Sequence, residues 1–173
     1  MKNSDILIRP VVAEDAAGIA LIYNHYVAST IITFEEDDVS ADEMARRIED
    51  VEAASLPWLV AEREGRVVGY AYATKWRARR GYRFSAEATV YVDEGCGGAG
   101  IGSRLYEALL PMLRAGGIHA VMGGIALPND ASVALHEKFG FVKVAHFEEV
   151  GFKFGKWIDV GYWQLILGGG DWR

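Results

Sequence analysis

Five glycines fall within eight residues of this chain, at Gly95, Gly97, Gly98, Gly100 and Gly102. The segment before them, Ala86–Val92, reads as a strand. The segment after them places Ile101, Leu105, Ala108, Leu109 and Met112 at helical spacing. A strand that runs through glycines into a helix leaves unpaired amides at the positive end of the helix dipole, where an anion is attracted. The absent Cβ atoms at Gly98, Gly100 and Gly102 let oxyanion oxygens approach those amides and permit positive φ where the chain curls. A tight loop that holds no ligand is the other reading. Position in the chain helps to choose the anion. A dinucleotide-binding unit carries its glycine turn after the first strand, with an acidic residue about 20 positions on. Here the turn follows the fourth predicted strand, and no Gly-Lys-Ser/Thr closes it as a P-loop would.

The chain has 173 residues, which one hydrophobic core accommodates, so a single domain over 1–173 is expected. With 51% hydrophobic and 24% charged residues, disordered and fibrous classes are excluded. Eighteen Lys and Arg stand against 24 Asp and Glu, and a net charge of -6 offers nothing to phosphate backbones or anionic lipid. No nucleic acid or membrane partner is therefore expected. No apolar run resembles a signal peptide or approaches the ~20 residues of a spanning helix, which predicts a cytoplasmic protein. Cys96 has no partner for an internal disulfide. His25, His119, His136 and His146 lack metal-ligand spacing, so no metal is expected.

Ile6–Pro10 reads as a first strand. Ile19, Ile22, Tyr23 and Tyr26 share one face of a helix over roughly 13–28, and Ser40 with Glu43 forms a capping box at the start of a second amphipathic helix. Trp58–Ala61 and Val67–Tyr72 flank a Glu64-Gly65 turn, the pattern of a hairpin. The polar stretch Lys75–Ser85 leads into the strand before the glycine turn, and Gly116-Gly117 caps the helix after it. His119–Ala126 reads as a strand, Asn129 caps a helix to about Phe139, and two aromatic-rich strands follow near 141–150 and 157–167. The tail Gly168-Gly169-Gly170 is expected to fray. The order β-α-α-β-β-β-α-β-α-β-β predicts an α/β fold with one mixed central sheet and helices on both faces.

Gly97-Gly98-Ala99-Gly100-Ile101-Gly102 resembles the pyrophosphate signature R/Q-x-x-G-x-G/A of the GNAT-type N-acetyltransferase superfamily, except that glycine replaces the initial Arg or Gln. Asn129, Ser132, Leu135, His136, Gly140 and Phe141 match the second half of that signature, with His136 in the place of a tyrosine. The likeness narrows to the phosphinothricin and methionine sulfoximine acetyltransferase family through Trp76-Arg77-Ala78-Arg79, Tyr82, Glu87–Val92, Leu127-Pro128-Asn129-Asp130 and Gly151–Asp159. The resemblance implies a GNAT fold, acetyl-CoA as co-substrate, transfer to the α-amine of a small amino acid or analogue, and a homodimer that uses the C-terminal strands near the active site. It places the cofactor on Val90, Tyr91, Val92, the turn 97–102, Ser103, Asn129 and Ser132, and the acceptor against Phe34 and Thr89. Backbone amides of the 89–92 strand would polarise the thioester carbonyl and bond the pantetheine arm.

Acetyl transfer needs a neutral amine, a stabilised oxyanion and a proton for the departing thiolate. Glu87 interrupts an apolar strand, where burial raises a carboxyl toward a useful basicity, and alternation places it on one face with Thr89 and Tyr91. It matches the family's catalytic glutamate and is assigned as the base, directly or through water; a paired structural carboxylate is the other reading. His136 is a candidate general acid or substrate contact, or else an ordinary helix histidine. Arg77, Arg79 and Arg80 with Tyr82 precede the strand, and guanidinium forks suit a carboxylate or phosphinate, with Arg79 and Tyr82 favoured. Cys96 reads as a bystander thiol. An acceptor of another kind, a protein N-terminus, polyamine or aminoglycoside, and a non-catalytic acyl-CoA-binding module are the alternatives.

Overall fold

The computed structural model describes residues 6–168. Strand β1 (Ile6–Pro10) is followed by a short 3-10 turn at Ala13–Asp15 and then by helices α1 (Ala16–Ser29) and α2 (Ala41–Ala53). Next come β2 (Trp58–Arg63), β3 (Arg66–Lys75), β4 (Ser85–Val92), α3 (Ile101–Ala115), β5 (Ala120–Ala126), α4 (Asp130–Lys138), β6 (Val142–Lys153) and β7 (Lys156–Ile166). The seven strands form one mixed sheet in the order β1-β2-β3-β4-β5-β7-β6. All ladders are antiparallel except β4 with β5. The expected element order therefore holds. The last two strands are longer than the sequence suggested, because the Phe154-Gly155 turn, with both residues at positive φ, lets the ladder run to Lys153↔Lys156. Gly169 and Gly170 lie outside the described residues.

Alternation along the strands divides the core. Trp58, Val60, Tyr70 and Tyr91 pack with α1 and α2 on one face, while Leu59, Ala61, Val68, Ala71, Ala86 and Ala88 pack with α3 on the other. Helix α1 is apolar beyond its predicted stripe, with Leu21 73% exposed. Ser40 Oγ accepts from Glu43 N at 3.1 Å, which caps α2 as expected. The reciprocal half of the capping box gives way to ion pairs, since the Glu43 carboxylate binds Arg46 and Arg47. Helix α3 buries Ile101, Leu105, Tyr106, Leu109, Leu110 and Leu113, whereas Met112, assigned to the stripe by its spacing, is 43% exposed. Its last turn closes as predicted, with Gly116 N to Met112 O and Ile118 N to Leu113 O at 2.9 Å each.

Small residues on β3 set the depth of α3. A Cβ at Gly69 would lie 2.9 Å from Ile101 Cγ2, so the first turn of α3 rests on the strand beside β4. No helix among the described residues is long and apolar enough to cross a membrane. Because Leu105 is fully buried in the core under α3, Leu105→Ala is expected to lower the unfolding free energy by about 2–5 kcal/mol in denaturant titrations. Leu21→Ala, at an exposed position, should change it by less than about 0.5 kcal/mol.

Candidate active site

Strands β4 and β5 pair only over Ser85↔Ala120, Ala86↔Val121 and Glu87↔Met122. Beyond Glu87 the two strands diverge, and β4 keeps only its β3 partner as far as Gly69↔Val92. The gap opens into a cavity of about 500 Å³ between the end of β4, the glycine turn and α4. Gly98 has φ +76°, and Gly100, the N-cap of α3, has φ +73°. The first bond into α3 runs from Arg104 N to Gly100 O, so the amides of Ile101, Gly102 and Ser103 precede the hydrogen-bonded helix. Gly102 sits tightly below Leu135, with a Cβ placed 3.2 Å from its Cδ2. This geometry fits an extended anion such as a pyrophosphate: amide donors precede the first helical bond, bulk is absent, and among the described residues no Asp or Glu lines the cavity.

Of the residues expected around the cofactor, Val90, Tyr91, Val92, Gly97, Gly98, Gly100, Ile101, Gly102, Ser103, Asn129 and Ser132 all line this cavity, and Ala99 does not. Asn129 Oδ1 accepts from Ser132 N at 3.1 Å, capping α4 at the cavity wall. The structure adds Tyr26, whose hydroxyl donates to Val92 O at 2.6 Å, and a stripe on α4 made of Ala131, Ala134, Leu135 and Lys138. These four recur at i, i+3, i+4 and i+7, a helical signal that was present in the sequence. Lys138 Nζ donates to Ser103 Oγ at 2.8 Å. Cys96 is buried at the edge of the cavity, with Arg63 Nη2 2.9 Å from its sulfur.

Glu87 stands where the strands part. Burial pushes its carboxyl above the ordinary range, and the Arg77 guanidinium pulls it part of the way back. Space for it comes from Gly124, where a Cβ would lie 3.0 Å from Glu87 Oε1 and 3.1 Å from the Tyr162 ring. A second cavity, about 700 Å³, is lined by Phe34, Trp76, Arg77, Met122, Phe152 and Tyr162 among others. Met122 is the ladder partner of Glu87, so this cavity opens on the Glu87 side of the sheet. Phe34 is seated against Gly151, which no larger residue could replace without moving the ring. Lys153 is 1% exposed and donates to Thr33 O at 2.8 Å, which ties the Phe34 loop to β6. Arg77 lies over the Trp76 ring at 4.9 Å. Arg79 and Tyr82, by contrast, are exposed on the turn before β4 and line neither cavity. Thr89 faces the same side as Glu87 but borders neither cavity.

His136 lies elsewhere. It is 3% exposed beneath β5, pressed against Gly123, the neighbour of Met122 that faces the other side of the sheet. Its Nδ1 is 2.7 Å from the Ser132 carbonyl, which can only accept, so Nδ1 carries the proton. Nε2 then accepts from the Tyr106 hydroxyl at 3.0 Å. Desolvation lowers the imidazole pKa, and the bond to Ser132 opposes this, so the ring is held neutral. Both nitrogens are occupied, and the sheet separates His136 from Glu87. Among the described residues no group of three His, Cys, Asp or Glu side chains is placed to hold a metal.

Comparison with known proteins agrees with this architecture. Residues 8–161 match the family model described as acetyltransferase (GNAT) domain. The chain is 42% identical over 159 residues to a phosphinothricin N-acetyltransferase of Streptomyces viridochromogenes, covering 91% of this chain and 85% of that one. It is 40% identical to the L-amino acid N-acyltransferase MnaT of Escherichia coli, over 88% of this chain and 89% of the other. The protein yncA of Salmonella typhimurium, solved with acetyl-CoA, superposes with a TM-score of 0.93 at 35% identity, over 97% of both chains. The matched residues and the identity to these relatives show that the chain belongs to the GNAT acetyltransferase family.

Proposed function

We propose that this protein is a cytoplasmic, single-domain enzyme that acetylates the α-amine of a small amino acid or analogue, of the phosphinothricin, methionine sulfoximine or methionine sulfone type. The observation that carries the reading is the desolvated Glu87 at the parting of β4 and β5, between the glycine-turn cavity and the Arg77 cavity. Bound acetyl-CoA supplies the activated acyl group. The turn 97–102 and Ser103 hold its phosphates, Asn129 and Ser132 form the wall of the channel, and Val90–Val92 present the open edge of β4. Glu87 takes the proton from the acceptor ammonium, directly or through a water, so that the amine attacks as a neutral nucleophile. Amides of β4 stabilise the oxyanion that develops on the thioester carbonyl; on its collapse the C–S bond breaks, and the CoA thiolate takes up the proton that the new amide nitrogen loses.

Arg77 pairs with the acceptor's carboxylate, and Phe34 and Tyr162 flank its side chain, whereas Arg79, Tyr82 and Thr89, which border neither cavity, make no contact with it. His136, whose two nitrogens are both in use, is a positioning residue that holds Ser132 and Tyr106 and does not exchange protons with substrate. A second copy of the chain covers the apolar strands β6 and β7, where Val142, Val144, Phe152, Phe154 and Trp157 are more than half exposed. Phe152 belongs to the acceptor cavity, so the homodimer interface adjoins the active site. An acidic acceptor surface for a polyamine or aminoglycoside is disfavoured, because the charged residue in that cavity is an arginine.

Thiol release from acetyl-CoA with methionine sulfone and phosphinothricin tests the reading directly. Glu87→Gln is expected to lower kcat/KM by about 100-fold or more and to remove the acidic limb of its pH profile; full activity across pH would refute the base. Replacing Trp157 by Asp should convert a dimer to monomer in sedimentation, and an unchanged dimer would place the interface elsewhere. His136 has a folded pKa below its unfolded value of about 6.5, so the unfolded chain binds more protons as pH falls below that value. Stability is expected to drop as pH falls below about 6.5, and His136→Gln should flatten that dependence in denaturant titrations while lowering the overall stability.

A further inference from the structure

The family's phosphate signature begins with Arg or Gln, and this chain has Gly97 there. A dianionic pyrophosphate would then rest on amides alone, in a protein whose net charge is -6. One cation nevertheless borders the cavity. Among the described residues that line it, Lys138 alone is a Lys, Arg or His, and none is an Asp or Glu. Its ammonium is held over the first turn of α3 by the bond to Ser103 Oγ, on the helix whose free amides form the anion site. It lies 5.6 Å from the centroid of the Phe139 ring, which restricts its stem. The ammonium has three donors, and the Ser103 bond uses one of them.

We propose that Lys138 supplies, from the last turn of α4, the positive charge that the turn lacks at Gly97, and that it pairs with the pyrophosphate of acyl-CoA. The inference rests on the acetyl-CoA reading of this cavity. It assigns a division of labour: amides on α3 fix the geometry, and a lysine from another helix supplies the charge. It also explains how the turn dispenses with its usual first side chain. Gly97 has φ -57° and ψ 144°, a conformation open to any residue, and a Cβ there would meet nothing closer than Glu94 O at 3.7 Å. Glycine at this position is therefore not required by the backbone.

That open space provides the test. Calorimetric titration of the full-length protein with acetyl-CoA compares the wild type, Lys138→Ala, Lys138→Arg and the double variant Gly97→Arg/Lys138→Ala. Lys138→Ala should raise Kd by about three- to tenfold at low ionic strength, with a smaller factor at high salt. Lys138→Arg should stay within about twofold of wild type, and Gly97→Arg should restore most of the loss by returning a cation to the same phosphate. Acetyl-dephospho-CoA, which keeps the pyrophosphate and lacks the 3′-phosphate, should show the same loss for Lys138→Ala. An unchanged Kd for Lys138→Ala, or a loss confined to acetyl-CoA and absent with the dephospho form, overturns the proposal. Failure of the wild type itself to bind acetyl-CoA would instead overturn the reading of the cavity, which separates the two claims.

Discussion

The parting of β4 from β5 is the constraint on which the rest of the structure depends. Three residue pairs join the two strands before they diverge, and Glu87 is in the last of them. Parallel strands normally continue their ladder until a connection ends it, because an unpaired buried amide is costly. Here the sheet stops pairing in its own middle, and the exposed edge of β4 becomes the wall of a cavity. The glycine turn and α4 close that cavity from two other sides. Both the carboxylate and the glycine turn border this one break, Glu87 from within β4 and the turn from the connection between β4 and α3.

Small residues make the break usable. Gly69 lets the first turn of α3 lie on β3, so the helix dipole points at the gap. Gly123 and Gly124 are adjacent on β5 and face opposite sides. One admits the His136 ring, and the other leaves room for Glu87 and Tyr162. The two titratable groups thus experience opposite consequences of one cause. Desolvation raises the Glu87 carboxyl toward the neutral range and lowers His136 away from it. The first becomes suited to taking a proton, and the second becomes a fixed neutral hydrogen-bonding group between Ser132 and Tyr106.

Much of the fold was legible because local physics agreed with the final packing. The strand, glycine and helix succession around residue 100, the caps at Ser40 and Asn129, and the turn at Glu64-Gly65 depend on near neighbours alone. The stripe of α3 was placed one step off at Met112, since spacing of 3.6 residues leaves the rotation of a helix ambiguous until a sheet packs on it. Arg79 and Arg77 illustrate the same limit. Both lie in one polar run with equal chemistry, and only the path of the chain puts Arg77 over Trp76 and at the cavity beside Glu87 while leaving Arg79 outside it.

By itself the sequence determined the order of the elements, the anion-seeking turn and the presence of one carboxylate in an apolar strand. These are properties of contiguous residues, governed by dihedral preference, periodicity and hydrogen-bonding capacity. Tertiary structure alone decided which side of the sheet each group occupies, where the ladder breaks, and that Lys138 of α4 meets Ser103 of α3 across 35 positions of chain. The reason is that charge and burial act through space, so a pKa or a phosphate contact depends on neighbours that the linear chain does not bring together.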